Sequence, residues 1–236
     1  MKYQDHDNRD SALLLRINEC KASYPLHDTG VLKNCIDIGA NIGAFSLLAS
    51  KKFEEVIAIE ANKDSFECMK SILCKENISN VHIYNRAVHN LSGEFINIYK
   101  IDEGGKEHSG NASTEVIHSS NNIPLTGETE SVQTINLEDV LKIADSKYID
   151  YMKIDCEGAE YNFLINKDLS KIFFIIGEYH EGYLGEKKLN ELWAHIRLTH
   201  ELDFFEDYCI FTAELKKEFR SRFYHEPRNI NQYIMG

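Results

Sequence analysis

The stretch Cys35-Ile-Asp37-Ile-Gly39-Ala-Asn41-Ile-Gly43 decides the fold of the chain. Its first residues are apolar and favour a β-strand, and Asp37 stands where such a strand would end. Apolar residues with helical spacing follow Gly43. A strand, a tight glycine turn and a helix are the opening unit of a doubly wound α/β fold, in which a ligand lies at the carboxyl end of the first strand. Gly39 and Gly43 are expected there because glycine brings the backbone close to a ligand without an intervening Cβ.

The spacing of the turn bears on the kind of ligand. It reads G-x-N-x-G, whereas a dinucleotide fingerprint reads G-x-G-x-x-G. Asp37 precedes the first glycine by two residues, which suits a ligand that is positively charged at that end. S-adenosylmethionine is such a ligand, because its ammonium group lies beside a sulfonium. An ordinary structural glycine turn is the alternative, so Asp37, Gly39, Asn41 and Gly43 are candidate cofactor contacts.

Composition excludes several classes of protein. Hydrophobic residues make up 43% of the 236 residues, so a disordered chain is not expected. The formal net charge of -12 argues against nucleic acid as a main partner. No apolar run reaches the ~20 residues that cross a bilayer, and the polar, acidic N-terminus is unlike a secretory signal, so we expect a soluble cytoplasmic protein without a transmembrane segment. The 6 cysteines show no C-x-x-C pair, which favours free thiols.

The second predicted strand, residues 56–60, also ends in an acid. Glu60 lies about 20 residues beyond the glycine turn, where a carboxylate grips the hydroxyls of a ribose. Nicotinamide enzymes share this grip, so Glu60 alone does not identify the cofactor. A third strand covers residues 81–85, and the small residue Ala87 beyond it can let an adenine lie flat against the backbone. Ala61, directly after Glu60, completes the candidate cofactor contacts.

Two further strands end in ionisable residues. Residues 149–155 predict a buried strand with Lys153, Asp155 and then Glu157 crowded at its end. Mutual repulsion raises the pKa of such carboxylates, which is typical of active sites. The strand over residues 172–178 ends at Glu178 and His180. In a parallel sheet these groups emerge at the same edge as the glycine turn, which is the main argument for catalysis there.

The remaining segments are less regular. Residues 94–99 predict an extra strand, residues 131–135 are expected to resume the sheet, a helix is expected over about 184–199, and a strand over residues 209–211 is expected to close the sheet. Residues 101–131 lack periodicity, which is typical of a functional or mobile loop. We interpret them as a substrate-facing loop, with a plain surface loop as the alternative. Its candidate contacts are His108, Ser109, Asn111 and Ser113.

The two ends of the chain are expected to lie outside the main domain. Residues 1–33 predict an N-terminal helical extension, with Asp10 or Ser11 as its cap and Leu13, Leu14, Leu15 and Ile17 on one side. Residues 34–215 then form one domain. Residues 216–236 form a tail of uncertain structure.

Taken together, these motifs resemble the FkbM-type methyltransferases over roughly residues 34–180. The resemblance rests on residues 36–43, 58–62, 131–140 and 150–160, in that order. The family often has a proline after the acid of the second strand, where this chain has Ala61. The resemblance implies a Rossmann-like class I methyltransferase fold, with a mostly parallel, doubly wound sheet and an antiparallel last strand. It also implies S-adenosylmethionine as the cofactor and O-methyl transfer to a hydroxyl of a sugar, a glycan or a small natural product.

Such a transfer needs an aligned acceptor and gains from a general base. Asp155 or His180 is the candidate base, with Glu157 and Glu178 orienting the base or the acceptor. Lys153 either neutralises the surrounding acids or steadies the developing alkoxide. Alternatively, Asp155, Glu178 and His180 hold Mg²⁺ or Mn²⁺, since oxygen-rich sites suit hard cations.

Two other classes of protein stay open. An NAD(P)-dependent oxidoreductase or epimerase shares the opening unit and Glu60, and it would also need a Tyr-x-x-x-Lys pair placed on a helix for hydride transfer. A non-catalytic domain that retains the fold is the third interpretation.

Overall fold

A seven-stranded sheet lies at the centre of the computed structural model, which describes residues 6–26, 32–101, 112–113, 125–205 and 209–221. In these ranges the strands are β1 (Leu32–Ile38), β2 (Phe53–Glu60), β3 (Val81–Asn85), β4 (Ala87–Val88), β5 (Phe95–Ile101), β6 (Ala112–Ser113), β7 (Leu125–Ile135), β8 (Ile149–Ile154), β9 (Ile172–Glu178), β10 (His200–Phe205) and β11 (Ile210–Leu215). The helices are α1 (His6–Ser23), α2 (Ala44–Ala49), α3 (Lys63–Lys75), α4 (Leu137–Ile143), α5 (Glu160–Leu164), α6 (Glu181–Ile196) and α7 (Lys217–Arg220). None of these helices is long and apolar enough to cross a membrane.

The order of the strands confirms the predicted fold. It is β10-β11-β9-β8-β1-β2-β3, and β3, β2, β1, β8 and β9 are parallel neighbours. The last strand, β11, runs antiparallel to both β9 and β10. The prediction that this strand closes the sheet is wrong, because β10 forms the edge beyond it. Alternate residues of β10 are exposed, so its sequence lacks the continuous apolar run that marks the inner strands.

Helices cover both faces of the sheet. Side chains of β1 alternate between them: Ile36 and Ile38 belong to the cluster that packs against α4, α5 and α6, whereas Cys35 packs with Phe45 of α2. Burial on both faces explains why β1, β2 and β8 read as apolar runs.

A second, smaller sheet lies beside the first, with the order β4-β7-β5-β6. Residues 131–135 were expected to return to the main sheet, and this prediction is wrong. They belong to β7, which pairs antiparallel with β5, as in Ile96 opposite Val132. The pairing buries Ile98 and Val132 in a cluster with Ala87, so the small sheet has an apolar centre of its own.

Helix α1 begins at His6, before the predicted caps Asp10 and Ser11. The prediction that Leu13, Leu14, Leu15 and Ile17 share one apolar side is wrong, since Leu14 and Leu15 are 62% and 59% exposed. Consecutive helical residues point about 100° apart, so a run of three leucines cannot lie on one face. Leu13 instead packs with Ala12 against a cluster that contains Ile42. The proposed limits of the domain at residues 34 and 215 stay a prediction.

The two glycines of the turn are required by packing inside the protein. Both have left-handed backbone, with φ of +69° at Gly39 and +86° at Gly43. A Cβ on Gly39 would lie 1.7 Å from the carbonyl oxygen of Asp155, and a Cβ on Gly43 would lie 2.7 Å from Cγ of Met69. The glycine turn therefore lies close against the end of β8 and against α3, and the expected approach of its backbone to a ligand stays a prediction.

We predict that Gly39→Ala destabilises the protein far more than Gly93→Ala. Both glycines have positive φ, so both substitutions cost about 1–2 kcal/mol of backbone strain. Only the Cβ at position 39 collides with other atoms, since nothing lies within 4 Å of the corresponding position at Gly93. Urea unfolding of both variants measures the difference, and equal losses of unfolding free energy would contradict the placement of Gly39 against Asp155.

Candidate active site

The carboxyl ends of β1, β2, β8 and β9 meet at a cleft that encloses about 220 Å³. Eight of the predicted site residues line it: Gly39, Asn41, Glu60, Ala61, Ala87, Asp155, Glu157 and Glu178. The edge predicted from the sequence therefore exists, and it brings the proposed cofactor and catalytic groups together. Four predicted residues, Asp37, Gly43, Lys153 and His180, lie behind this wall or beside it.

Lys153 is buried beneath the cleft. Its Nζ donates hydrogen bonds to the carbonyl oxygens of Gly39 at 2.8 Å and Ile38 at 3.2 Å. It also lies 3.3 Å from Oδ1 of Asp37 and 3.7 Å from Oδ2 of Asp155. Burial alone would lower the pKa of Lys153, but these two carboxylates raise it above its ordinary value. Lys153 therefore stays charged, which supports its predicted role of neutralising the acids.

Asp37 is fully buried and faces Lys153, its partner in the register of β1 and β8. Its Oδ2 accepts a hydrogen bond from the hydroxyl of Ser46 at 2.6 Å. Asp37 therefore does not line the cleft, where we predicted that its carboxylate contacts a ligand. Gly43 likewise forms the N-cap of α2 and does not line the cleft.

Glu60 joins the glycine turn to the start of α3. Its two carboxylate oxygens accept hydrogen bonds from the backbone N–H groups of Asn41 and Asn62, each at 2.7 Å. Burial raises the pKa of Glu60 to about 7. Each oxygen keeps a further lone pair, so Glu60 can also accept hydrogen bonds from a ligand in the cleft.

His180 is surrounded by four carboxylates. Its Nδ1 lies 2.9 Å from Oε1 of Glu160, and its Nε2 lies 3.4 Å from Glu157, 3.7 Å from Asp155 and 3.8 Å from Glu178. Burial alone would lower the pKa of His180, but the carboxylates, with Glu160 foremost, raise it to about 10. At neutral pH both ring nitrogens then carry protons. The role of His180 as a general base stays a prediction, and its raised pKa disfavours that role.

The acids at the rim differ in their surroundings. Burial raises the pKa of Glu157 to about 7, and Glu157 also has left-handed backbone with φ of 52°. Burial raises the pKa of Glu178 as well. Asp155 is held from below, since the hydroxyl of Tyr24 donates a hydrogen bond to its Oδ2 at 3.1 Å. A carboxylate that titrates near neutral pH is the best matched base for chemistry at neutral pH, and Glu157 meets this condition inside the cleft.

The alternative metal site has suitable spacing. One ligand atom each from Asp155, Glu178 and His180 lies within 4.8 Å of the others. Two carboxylates and an imidazole are a donor set that fits a divalent cation. A metal would first have to displace the proton from Nε2 of His180, however, and that proton is already stabilised by three carboxylates.

Several residues of the site were not predicted from the sequence, and some residues that were predicted lie outside the part of the chain that the structure describes. Glu160, which fixes His180, was visible only as one more acid after Asp155. Arg16, Tyr24 and Arg86 gave no signal, although Arg16 and Arg86 line the cleft and Tyr24 contacts Asp155. The proposed substrate contacts His108, Ser109 and Asn111 lie outside the described residues, and Ser113 is described only as the end of β6.

Comparison with known proteins identifies the family of this arrangement. A family model, the methyltransferase FkbM domain, matches residues 37–208. The structure of methyltransferase FkbM from Methylobacillus flagellatus KT is similar, with a TM-score of 0.51 and 14% identity over 81% of this chain and 45% of that one. This chain thus spans less than half the length of that protein.

Two further solved structures show more distant similarity. Precorrin-6y C5,15-methyltransferase from Geobacter metallireducens GS-15 has a TM-score of 0.47 and 12% identity over 91% of each chain. SMU.1697c from Streptococcus mutans, solved in complex with SAH, has a TM-score of 0.47 and 9% identity over 86% of this chain and 97% of that one. No curated protein sequence matches the chain.

We predict that His180 is protonated at neutral pH and stabilises the fold in that form. Because its pKa rises from 6.5 to about 10 on folding, its contribution to the free energy of unfolding is complete below pH 6.5 and is lost as the pH rises toward 10. The difference in unfolding free energy between the wild type and His180→Gln should therefore shrink between pH 6.5 and 10. His82→Gln, which changes a half-exposed histidine, is the control. An NMR titration of the His180 ring with a midpoint near 6.5 would contradict the prediction.

Proposed function

This chain belongs to the FkbM family of S-adenosylmethionine-dependent methyltransferases, and from that premise we propose that it transfers a methyl group to a hydroxyl of a sugar, a glycan or a small natural product. The observation that carries the proposal is the shared cleft. Glu60 and the glycine turn line it together with the carboxylates of Asp155, Glu157 and Glu178. The first group suits a nucleoside, and the second suits an acceptor that must lose a proton.

We assign the cofactor contacts from one end of the cleft to the other. Ala87 and Ala61 offer small side chains beside which an adenine can lie. Glu60 would accept hydrogen bonds from the two ribose hydroxyls, and it is already oriented by the N–H groups that it binds. The backbone of Gly39 and Asn41 would hold the amino-acid portion. Asp37 contributes indirectly, because it holds Lys153 and through it the carbonyl groups of the turn.

Methyl transfer to oxygen is an in-line displacement at the methyl carbon. When bound, S-adenosylmethionine would supply the methyl group of its sulfonium to the acceptor oxygen and would leave as a neutral thioether. The acceptor proton has to leave, and we assign its removal to Glu157, whose pKa is raised to about 7 and which lines the cleft. The His180 imidazolium, 3.4 Å from Glu157, orients that carboxylate, and Glu178 orients the acceptor. Lys153 and Tyr24 hold Asp155 in place.

We predict that the purified protein binds S-adenosylhomocysteine and methylates hydroxyl groups without added metal. A ligand of the native state at 100 times its Kd stabilises a protein by about 2.7 kcal/mol, so S-adenosylhomocysteine should raise the Tm and NAD should not. Mass spectrometry of reactions with S-adenosylmethionine and a panel of glycans tests the transfer. Activity should survive EDTA, because the positive charge of protonated His180 already neutralises the carboxylates that would otherwise need a metal ion. Methyl gain on amines alone would contradict the proposed hydroxyl acceptor. Higher activity with added Mn²⁺ would favour the alternative in which Asp155, Glu178 and His180 bind a metal ion.

We predict that Glu157→Gln lowers kcat/KM by about 10²–10⁴-fold, the usual contribution of a general base. The wild-type rate should rise with pH through about 7 as Glu157 loses its proton, and this rise should be absent from the variant. Glu181→Gln is the matched control, because Glu181 is exposed at the start of α6. If Glu157→Gln keeps its activity while Asp155→Asn loses it, the base is Asp155.

A further inference from the structure

Arg16 lines the cleft, although its helix α1 lies outside residues 37–208, which the family model matches. We propose that Arg16 binds the carboxylate of the amino-acid portion of the cofactor, so that α1 forms a wall of the cofactor site. This inference rests on the proposed function, since it concerns how the same cofactor is held.

The position of α1 is fixed near both of its ends. Ala12 and Leu13 pack against the cluster that contains Ile42, directly beyond the glycine turn. Just past the other end, the backbone N–H of Tyr24 bonds to the carbonyl of Cys20 at 2.8 Å, and the Tyr24 hydroxyl donates to Asp155. Arg16, Cys20 and Tyr24 follow one another at intervals of four residues and so share one face of the helix. Because Arg16 lines the cleft and Tyr24 bonds to Asp155, that face is turned toward the ends of β1 and β8.

Charge determines which end of the cofactor can lie beneath Arg16. The carboxylates of Asp155, Glu157 and Glu178 would repel the carboxylate of a bound amino acid, and Lys153 is buried among its own partners. Among the described residues that line the cleft, the cations are Arg16 and Arg86. Arg86 is next to Ala87, at the adenine end, which leaves Arg16 as the cation for the opposite end.

Direction along the cleft leads to the same assignment. With the ribose at Glu60 and the adenine toward Ala87, the amino-acid portion extends the other way, across Gly39 toward Asp155. Asp155 is the group to which Tyr24, on the face of α1 that carries Arg16, is bonded. Arg16 and Tyr24 are about 12 Å apart along the helix axis, and Arg16 lines the cleft with Gly39 and Asn41 of the glycine turn, whereas Tyr24 bonds to Asp155 beyond β8.

The state of the Arg16 side chain suits a ligand contact. It is 34% exposed, and Nη1 donates to Oε2 of Glu19 at 3.1 Å, in a surface pair that contributes little to stability. A guanidinium has five N–H donors in a planar fork, which matches the two oxygens of a carboxylate. Lysine lacks that fork, so Arg16→Lys should restore only part of the contact.

The test compares two ligands that differ in the amino-acid portion. Calorimetry on the full chain measures the Kd of S-adenosylhomocysteine and of 5′-methylthioadenosine, which has the nucleoside and the sulfur but no carboxylate. Arg16→Ala should weaken S-adenosylhomocysteine by about 10–100-fold, as expected for a charge-assisted hydrogen bond, and should leave 5′-methylthioadenosine within about twofold. Arg16→Lys should lie between, and Lys21→Ala, an exposed change on the same helix, should match the wild type.

Each other result overturns the inference. Equal weakening of both ligands by Arg16→Ala would show that α1 only packs against the site, and unchanged binding of both would show that Arg16 does not contact the cofactor. Circular dichroism of each variant confirms that the fold is kept. If the wild type binds neither ligand, it is the proposed cofactor that fails, which separates that failure from a failure of Arg16.

Discussion

One buried ammonium group, that of Lys153, holds together the parts of the chain that form the cleft. A buried charge without partners would strongly destabilise the fold, so Lys153 requires the groups that pair with it and accept its hydrogen bonds. They come from two separate segments: Asp37 at the end of β1 with the carbonyl of Gly39 directly after it, and Asp155 just beyond β8. Because one cation satisfies all three, the ends of β1 and β8 have a single relative position. The glycine turn packs against Asp155 for the same reason, and no Cβ fits between them.

The outer rim of the cleft repeats this arrangement with a second cation. His180 is held by Glu160 on one nitrogen and faces Glu157, Asp155 and Glu178 with the other. Two cations thus fix a larger number of carboxylates, and the carboxylates in turn keep the imidazole charged. The acids are oriented before any ligand arrives, which is what electrostatic preorganisation requires. Burial, together with the surrounding negative charge, raises the pKa of Glu157 to about 7, so the packing that stabilises the rim also gives this carboxylate the pKa that the proposed base needs.

The sequence was sufficient for those features that a single segment encodes. Apolar runs that end in an acid located β1, β2, β8 and β9, and their parallel arrangement placed Glu60 and Asp155 at one edge. It was insufficient where two segments decide the outcome together. Whether Asp37 faces a ligand or Lys153 depends on the register between β1 and β8, which neither strand specifies alone. The burial of Leu13, and not of Leu14 or Leu15, depends on where the glycine turn and α3 lie. The role of Glu160 depends on the position of His180, which comes from a later segment of the chain.

These constraints explain why a cation for the cofactor would come from outside the sheet. A basic residue beside Asp155, Glu157 and Glu178 would be drawn to these acids, as Lys153 and His180 are, and would have no charge to spare for a ligand. A half-exposed arginine on a surface helix avoids this, because its competing pair with Glu19 is weak and solvated. In the proposed site the strands would supply acids for an acceptor and a ribose, and α1 would supply the opposite charge. A ligand with both a nucleoside and an amino-acid carboxylate would contact both walls, whereas a plain nucleoside would contact only the sheet.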